Sequence, residues 1–431
     1  MRRAHDVLRY PTRTLPPASG IAGLGTMAQR TKTQSAEPYA SLFTRPFVLL
    51  CIAMFLGYAN QWLVTPVIPL YVDAHGGSAF LAGLALLALS VPSVAVRPFV
   101  GKLADRWSAT GVLASGLVLL VLGSGLLLIP LFAMVFAGNF VRGLGWAGLN
   151  TGGYTALAGA APPQRRGEAA GYYTSATSAA SILFPALGLL LLEMPGSYQS
   201  VFVLSAAAAL VGLPFTFALG RAQAETPIAR TTPTAKQVPA TLLDRGVLIS
   251  TALNLCSTLA MPSVMAFLPL YARSIGVANI GLFYVIAGIT NIVVRPLLGK
   301  WSDDMGRGPA IAVGLAAQFI GLLFIVLADG LSLILGGAVF VALGSAMTSS
   351  TTTALAMDLA NPSSRGQAMA TYSISFQLGA GLGAIISGAL ADLVGLRGMY
   401  VGSLAITCIG LLLLASAWKL LPRPEDPRGT G

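Results

Sequence analysis

Asp105 closes a segment that the chain uses twice. Arg97-Pro98-Phe99-Val100-Gly101-Lys102-Leu103-Ala104-Asp105 returns 198 residues later as Arg295-Pro296-Leu297-Leu298-Gly299-Lys300-Trp301-Ser302-Asp303, and each copy lies between two long apolar runs. A carboxylate just past such a run is suited to accepting hydrogen bonds from the free N–H groups at the start of another helix, where the helix dipole favours negative charge. Helix starts of that kind are expected after Arg166-Gly167 and Arg365-Gly366. Gly101 and Gly299, which carry no Cβ, let a neighbouring helix come close. Other pairs keep nearly the same offset, among them Pro69-Leu70-Tyr71 with Pro269-Leu270-Tyr271 and Gly83 with Gly281. Two related halves in parallel order point to a membrane transporter whose site lies between them.

Arg142 is the other candidate for chemistry, because it is the one charge placed well inside an apolar run. Burying it costs ~2.5 to 3.5 kcal/mol on insertion scales, so it is either a binding group or a structural cation paired with carbonyls. The remaining polar residues of the runs are few: Asn60, Gln61, Asn150, Tyr154, Tyr172, Tyr173, Asn254, Asn291, Gln318, Tyr372 and Gln377. His5 and His75 are the only histidines, and neither stands near a second ligand type at metal spacing. No nucleophile–base pair and no phosphate-cradling glycine loop is present, so an enzyme, a metal centre and a cofactor are not expected. Cys51, Cys256 and Cys408 all fall inside apolar runs and read as packing residues.

The elements that must position these groups follow from composition. The chain is 55% apolar and 10% charged, with 49 glycines and a mean hydropathy of +0.76. That fits a helical membrane protein rather than a soluble one. Twelve runs reach the roughly 20 residues that a bilayer requires, six per half. They are 47–72, 80–101, 111–130, 132–158, 168–192 and 199–219, then 246–272, 279–300, 309–328, 331–357, 367–391 and 398–420. With the N-terminus inside, every Lys and Arg except Arg142, Arg273 and Arg397 falls in a tail, a cytoplasmic loop or an inner helix end. This asymmetry places both termini in the cytoplasm and assigns the net charge of +11 to the lipid bilayer, not to nucleic acid. Residues 1–44 read as a disordered cytoplasmic tail, with Met27 a possible start, 221–244 as a linker, and 422–431 as a short tail. The six-span halves are then 45–220 and 245–421. Pro66, Pro69, Pro92, Pro185, Pro214, Pro262 and Pro269 are expected to kink their helices.

Gly101-Lys102-Leu103-Ala104-Asp105-Arg106, with its echo at Gly299 to Asp303, resembles the signature loop of the major facilitator superfamily. The resemblance implies an all-α fold of twelve transmembrane helices in two pseudo-symmetric six-helix bundles. It implies that Asp105 latches to the eleventh span with Arg106 and Arg365, that Asp303 latches to the fifth with Arg166, and that both latches close the cytoplasmic mouth. The first copy departs from the family in having Ser108-Ala109-Thr110 where a glycine and two basic residues are usual. Asn139-Phe140-Val141-Arg142-Gly143-Leu144-Gly145 resembles the Arg-x-x-Gln-Gly-x-Gly pattern of exporters in this family, with Asn139 at the arginine position and Arg142 at the glutamine position.

The cavity residues implied are Asn60, Gln61, Asn139, Arg142, Tyr154, Asn254, Asn291, Tyr372 and Gln377. Proton-coupled export of a small amphipathic compound by a monomer in the inner membrane is the activity implied, although no carboxylate lies deep in the first or fourth span. Asp105, Glu193 and Asp329 are the candidate proton carriers. Import of an anionic metabolite held by Arg142, and a receptor or scaffold without flux, remain alternatives.

Overall fold

The computed structural model describes residues 42–161, 165–193, 197–225, 247–278, 280–360, 365–418 and 421. The expected tails, most of the linker and Met27 lie outside the described residues. So do the side chains of Asp105, Arg166, Asp303 and Arg365 and the surroundings of Gly299.

The described residues form twelve helical segments. They are α1 (Arg45–Val64 and Val67–Ala74), α2 (Ala79–Ala95 and Arg97–Arg106), α3 (Ala109–Leu126), α4 (Phe132–Ala160), α5 (Arg166–Leu191) and α6 (Ser197–Glu225). The second set is α7 (Leu248–Met265 and Leu268–Ser274), α8 (Gly281–Met305), α9 (Arg307–Val326) and α10 (Leu331–Leu359), followed by Arg365–Ala417. That last stretch changes direction at Gly395, whose φ of 81° is open to glycine, and divides into α11 (365–394) and α12 (396–417). Eight helices are long and apolar enough to cross a membrane, nine if the two arms of α2 are one span. Dividing the last helix and adding α4 and α8 gives twelve. Glycines and polar residues dilute α4, and the apolar part of α8 is short, Gly281–Val294.

Local chemistry explains the boundaries. Thr44, Ser78 and Ser108 cap α1, α2 and α3, each side-chain oxygen accepting from a first-turn N–H. Ser108, which interrupts the family pattern, therefore starts the third helix. Gly306, at φ 90°, makes the tight link from α8 to α9. The prolines act unevenly. Helices run on through Pro92, Pro185 and Pro214, while α1 breaks at Thr65–Pro66 and α7 breaks four residues past Pro262. A 47° bend falls between the arms of α2, just before Pro98, which has no N–H to continue the ladder.

Glycines let the helices of each half meet backbone to backbone. A Cβ on Gly116 of α3 would lie 2.5 Å from the Leu149 nitrogen, and one on Gly145 of α4 would lie 2.7 Å from the Gly116 carbonyl. In the second half Gly321 of α9 and Gly337 of α10 make the same kind of crossing. Gly116 and Gly123 recur 198 positions on as Gly314 and Gly321, so the repeat extends to the packing.

The hydrophobic core is distributed unequally along the bundle axis. At the end opposite Arg45 and Ala417, here the far end, one continuous cluster joins both halves, from Leu63–Val72 and Phe202 to Phe267, Phe283 and Tyr400. At the end carrying Arg45 and Ala417 the core divides. One cluster around Phe47, Leu113 and Tyr173 belongs to the first half. Separate clusters around Leu315 and around Tyr372 belong to the second.

Candidate functional site: a central cavity open at one end

The seams between halves show how the far end is shut. The α2 helix packs on α11, with Gly83 against the Ala384 carbonyl and Gly388 against the Ala79 carbonyl. Nearer the centre, a Cβ on Gly381 would lie 2.7 Å from Ser90 Cβ. On the other seam Gly288 of α8 meets Ile182 of α5. Asp392 at the tip of α11 reaches across to the start of α2, where its carboxylate accepts from the N–H groups of Ala79 and Phe80, both at 2.9 Å. A carboxylate on a helix N-terminus is the chemistry expected of Asp105 and Asp303, carried out here by another residue at the other end. Toward the Arg45 end the same helices separate. A Cβ on Gly101 of α2, or on Gly167 or Gly171 of α5, would meet nothing within 4 Å. Among the described residues the close approach expected at Gly101 is not made, and Arg106 is exposed.

Between the seams lies a cavity of about 680 Å³, walled by α1, α2, α4 and α5 on one side and α7, α8, α10 and α11 on the other. A cavity of that size takes a drug-sized molecule. Its far limit is near Thr65, Met265 and Ala266. Tyr154, 58% exposed, stands at its mouth.

Four of the residues expected in the cavity line it: Gln61, Tyr154, Asn291 and Gln377. Five do not. Asn60 is buried behind the wall, donating to Ser124 Oγ and the Ser205 carbonyl, both at 2.8 Å. Asn139 and Arg142 are equally enclosed. The Arg142 guanidinium, 1% exposed, donates to Asn139 Oδ1 at 2.9 Å, to Gln61 Oε1 at 3.1 Å and to the Asn60 carbonyl at 3.2 Å. These neutral acceptors hold it as a tie between α1 and α4, and only Gln61 connects it to the cavity. In the other half Asn254 bonds Ser375 Oγ at 2.8 Å, and the Tyr372 hydroxyl lies among Thr352, Thr353 and the Ser349 carbonyl. Bonding within and between helices takes these five side chains away from the cavity, with only Asn139 Nδ2 and Arg142 Nε among their buried polar atoms finding no partner in the described residues.

The wall holds a residue that sequence reasoning missed. Arg97 looked like an anchor at an inner helix end, but the bend in α2 turns it onto the cavity, half-buried beside Trp146. The Gln377 amide of α11 faces two donors, and when it is turned so that its oxygen meets them, that oxygen accepts from Arg97 Nη2 at 3.0 Å and Trp146 Nε1 at 3.3 Å, spanning the two halves. The signal was available, since Arg97 opens the repeated segment and is followed by the bend-forming Pro98. Tyr58 also lines the cavity, donating to Asn150 Oδ1 at 2.8 Å and packing against Trp146 with ring centres 4.7 Å apart and planes tilted by 51°. No Asp or Glu lies in the described wall. Glu193 and Asp329 are at the far end, the latter paired with Arg397 at 2.8 Å. Among the described residues no cluster of His, Cys, Asp and Glu could hold a metal ion.

Twelve helices in two repeated halves around a central cavity define a multi-pass membrane transporter. The chain belongs to the Major Facilitator Superfamily, whose family model matches residues 50–332 and again 251–431. It is 23% identical over 395 residues to the staphylopine export protein of Staphylococcus aureus, covering 88% of this chain and 98% of that one. It is 26% identical over 290 residues to the multi-drug resistance efflux pump PmrA of Streptococcus pneumoniae, covering 63% and 70%. Among solved structures, a bacterial homolog of the human lysosomal transporter Spinster, inward-facing and unoccupied, superposes with a TM-score of 0.70 at 13% identity, over 88% of this chain and 98% of that one.

Proposed function

We propose that the protein is an alternating-access exporter that loads a small amphipathic compound from the cytoplasm and is driven by protons. The observation that carries this reading is the cavity, walled by both halves, open at the Arg45 end and shut at the far end. The excess of Lys and Arg at the Arg45 end supports a cytoplasmic placing of that end, with both termini inside, and in this reading the chain sits in the inner membrane. The open conformation is then the one that accepts cargo from within. The mixed wall, apolar with tyrosine, tryptophan and amide groups, suits an amphipathic compound, and the relatives named as an export protein and an efflux pump support the outward direction. The protein works as a monomer in this reading, since each chain encloses a whole cavity.

In the closed counterpart, Asp105 with Arg106 and Arg365 latches α2 to α11, and Asp303 with Arg166 latches α8 to α5. Protonation of a latch carboxylate such as Asp105 is the coupling step most compatible with a described wall that has no acid.

Proteoliposomes loaded with cationic, neutral and anionic fluorescent amphiphiles test the reading under an imposed pH gradient with the membrane potential clamped. Uphill movement that stops when the gradient is collapsed is the expected result. Movement that only follows the concentration gradient identifies a facilitator instead, and no movement of any compound returns the protein to the receptor or scaffold class.

A further inference from the structure

Resting on the transport reading, we propose that the cavity recognises small organic anions, with Arg97 and Trp146 holding the anionic group. Arg97 is the one charged residue in the described wall, and no carboxylate of the described residues pairs with it. Arg142 differs, because it is 1% exposed and its two terminal nitrogens are taken up by the Asn139, Asn60 and Gln61 oxygens behind the wall.

The donors at Arg97 are arranged for an incoming oxygen. Nη2 of Arg97 and Nε1 of Trp146 converge, at 3.0 and 3.3 Å, on one end of the Gln377 amide, which these two donors assign as its oxygen. A carboxylate or phosphate oxygen is a stronger acceptor for a guanidinium than an amide oxygen, and it gains further because the surrounding wall is of low polarity. Gln377 is therefore the group such an anion displaces. Met261, Met265, Ile182 and Phe376, all in the same wall, offer an apolar surface for the rest of the molecule. Placing the anion between α2, α4 and α11 also puts it on the seam, where it replaces one bridge between the halves and can bias their rocking.

One bicyclic body in three charge states provides the test: indole-3-acetate, indole-3-acetamide and tryptamine. Each is offered to the full chain in nanodiscs of zwitterionic phosphatidylcholine, so that no anionic lipid headgroup competes, and affinity is read by equilibrium dialysis and thermal shift. Indole-3-acetate is expected to bind about tenfold or more tightly than the other two. Arg97→Gln should remove that preference. Gln377→Glu should remove it too, because a resident carboxylate then occupies Arg97, and this variant keeps the test available if Arg97→Gln does not fold. Adding anionic lipid should weaken indole-3-acetate if headgroups use the same donors.

A wild-type preference for tryptamine, an undiminished preference for indole-3-acetate in either variant, or no binding of any probe overturns the proposal. Failure of the transport reading is seen separately: a charge preference that obeys the variants, with no flux in proteoliposomes, supports the anion site and removes the exporter.

Discussion

The two ends of the inter-bundle seam are built from the same helices and differ in what fills them. At the far end, glycines let backbone meet backbone, Asp392 caps a helix of the opposite half, and apolar side chains form one cluster across both halves. At the Arg45 end, glycines stand at matching places on α2 and α5 and meet none of the described residues. Glycine in a membrane helix is thus a capacity for close approach that one conformation uses and another leaves idle. A transporter needs both, since a seam that fits at each end at once would not rock.

Filling the seam at the far end should have the largest effect. Gly83→Val places branched carbons against the Ala384 backbone, and overpacking of this kind costs roughly 1 to 3 kcal/mol. The far end then stays ajar and flux falls roughly tenfold or more. Hydrogen exchange over residues 79–89 should become faster, and wild-type flux in this variant would show that the contact is incidental.

Asp105→Asn attacks the opposite end. It should strongly reduce transport with expression intact, while exchange at residues 79–89 stays as slow as in the wild type. The two variants then fail in opposite conformations. Equal acceleration of far-end exchange in both would erase the contrast between the ends.

Asp392→Asn removes one charge–helix interaction, worth ~0.3 to 2 kcal/mol, and should shift the balance several-fold away from the present conformation. Faster exchange at the Ala79 and Phe80 amides, with a smaller loss of flux than in Gly83→Val, is the expected signature.

Gly101→Ala is the mildest change. The added Cβ meets open space, so thermal stability in this conformation should stay within about 0.5 kcal/mol of the wild type. Any loss of flux must then come from the closed form of that end. A clear loss of stability would show that Gly101 is already in contact.

Two arginines mark where reading the sequence stopped. Arg142 was legible as a buried charge, and its helix and depth are as expected, yet its partners on α1 make it a structural tie. Arg97 was legible as part of the repeat, but its place in the wall depends on the 47° bend before Pro98 and on Gln377 of the other half. Asn254 and Tyr372 failed as cavity residues for the same reason as Arg142: whether a polar group in a span faces a cavity or a neighbouring helix depends on partners remote in sequence.

Length of apolar runs, the 198-residue repeat and the placement of Lys and Arg determined the helices, the two halves and the membrane class, because the bilayer demands backbone pairing within each span and charge asymmetry across it. Tertiary structure alone decided which end is open, which carboxylate holds the closed end, and which arginine reaches the cavity. Those outcomes depend on contacts between helices whose residues lie as far apart as Ala79 and Asp392, and no local pattern encodes the rotation of one helix against another.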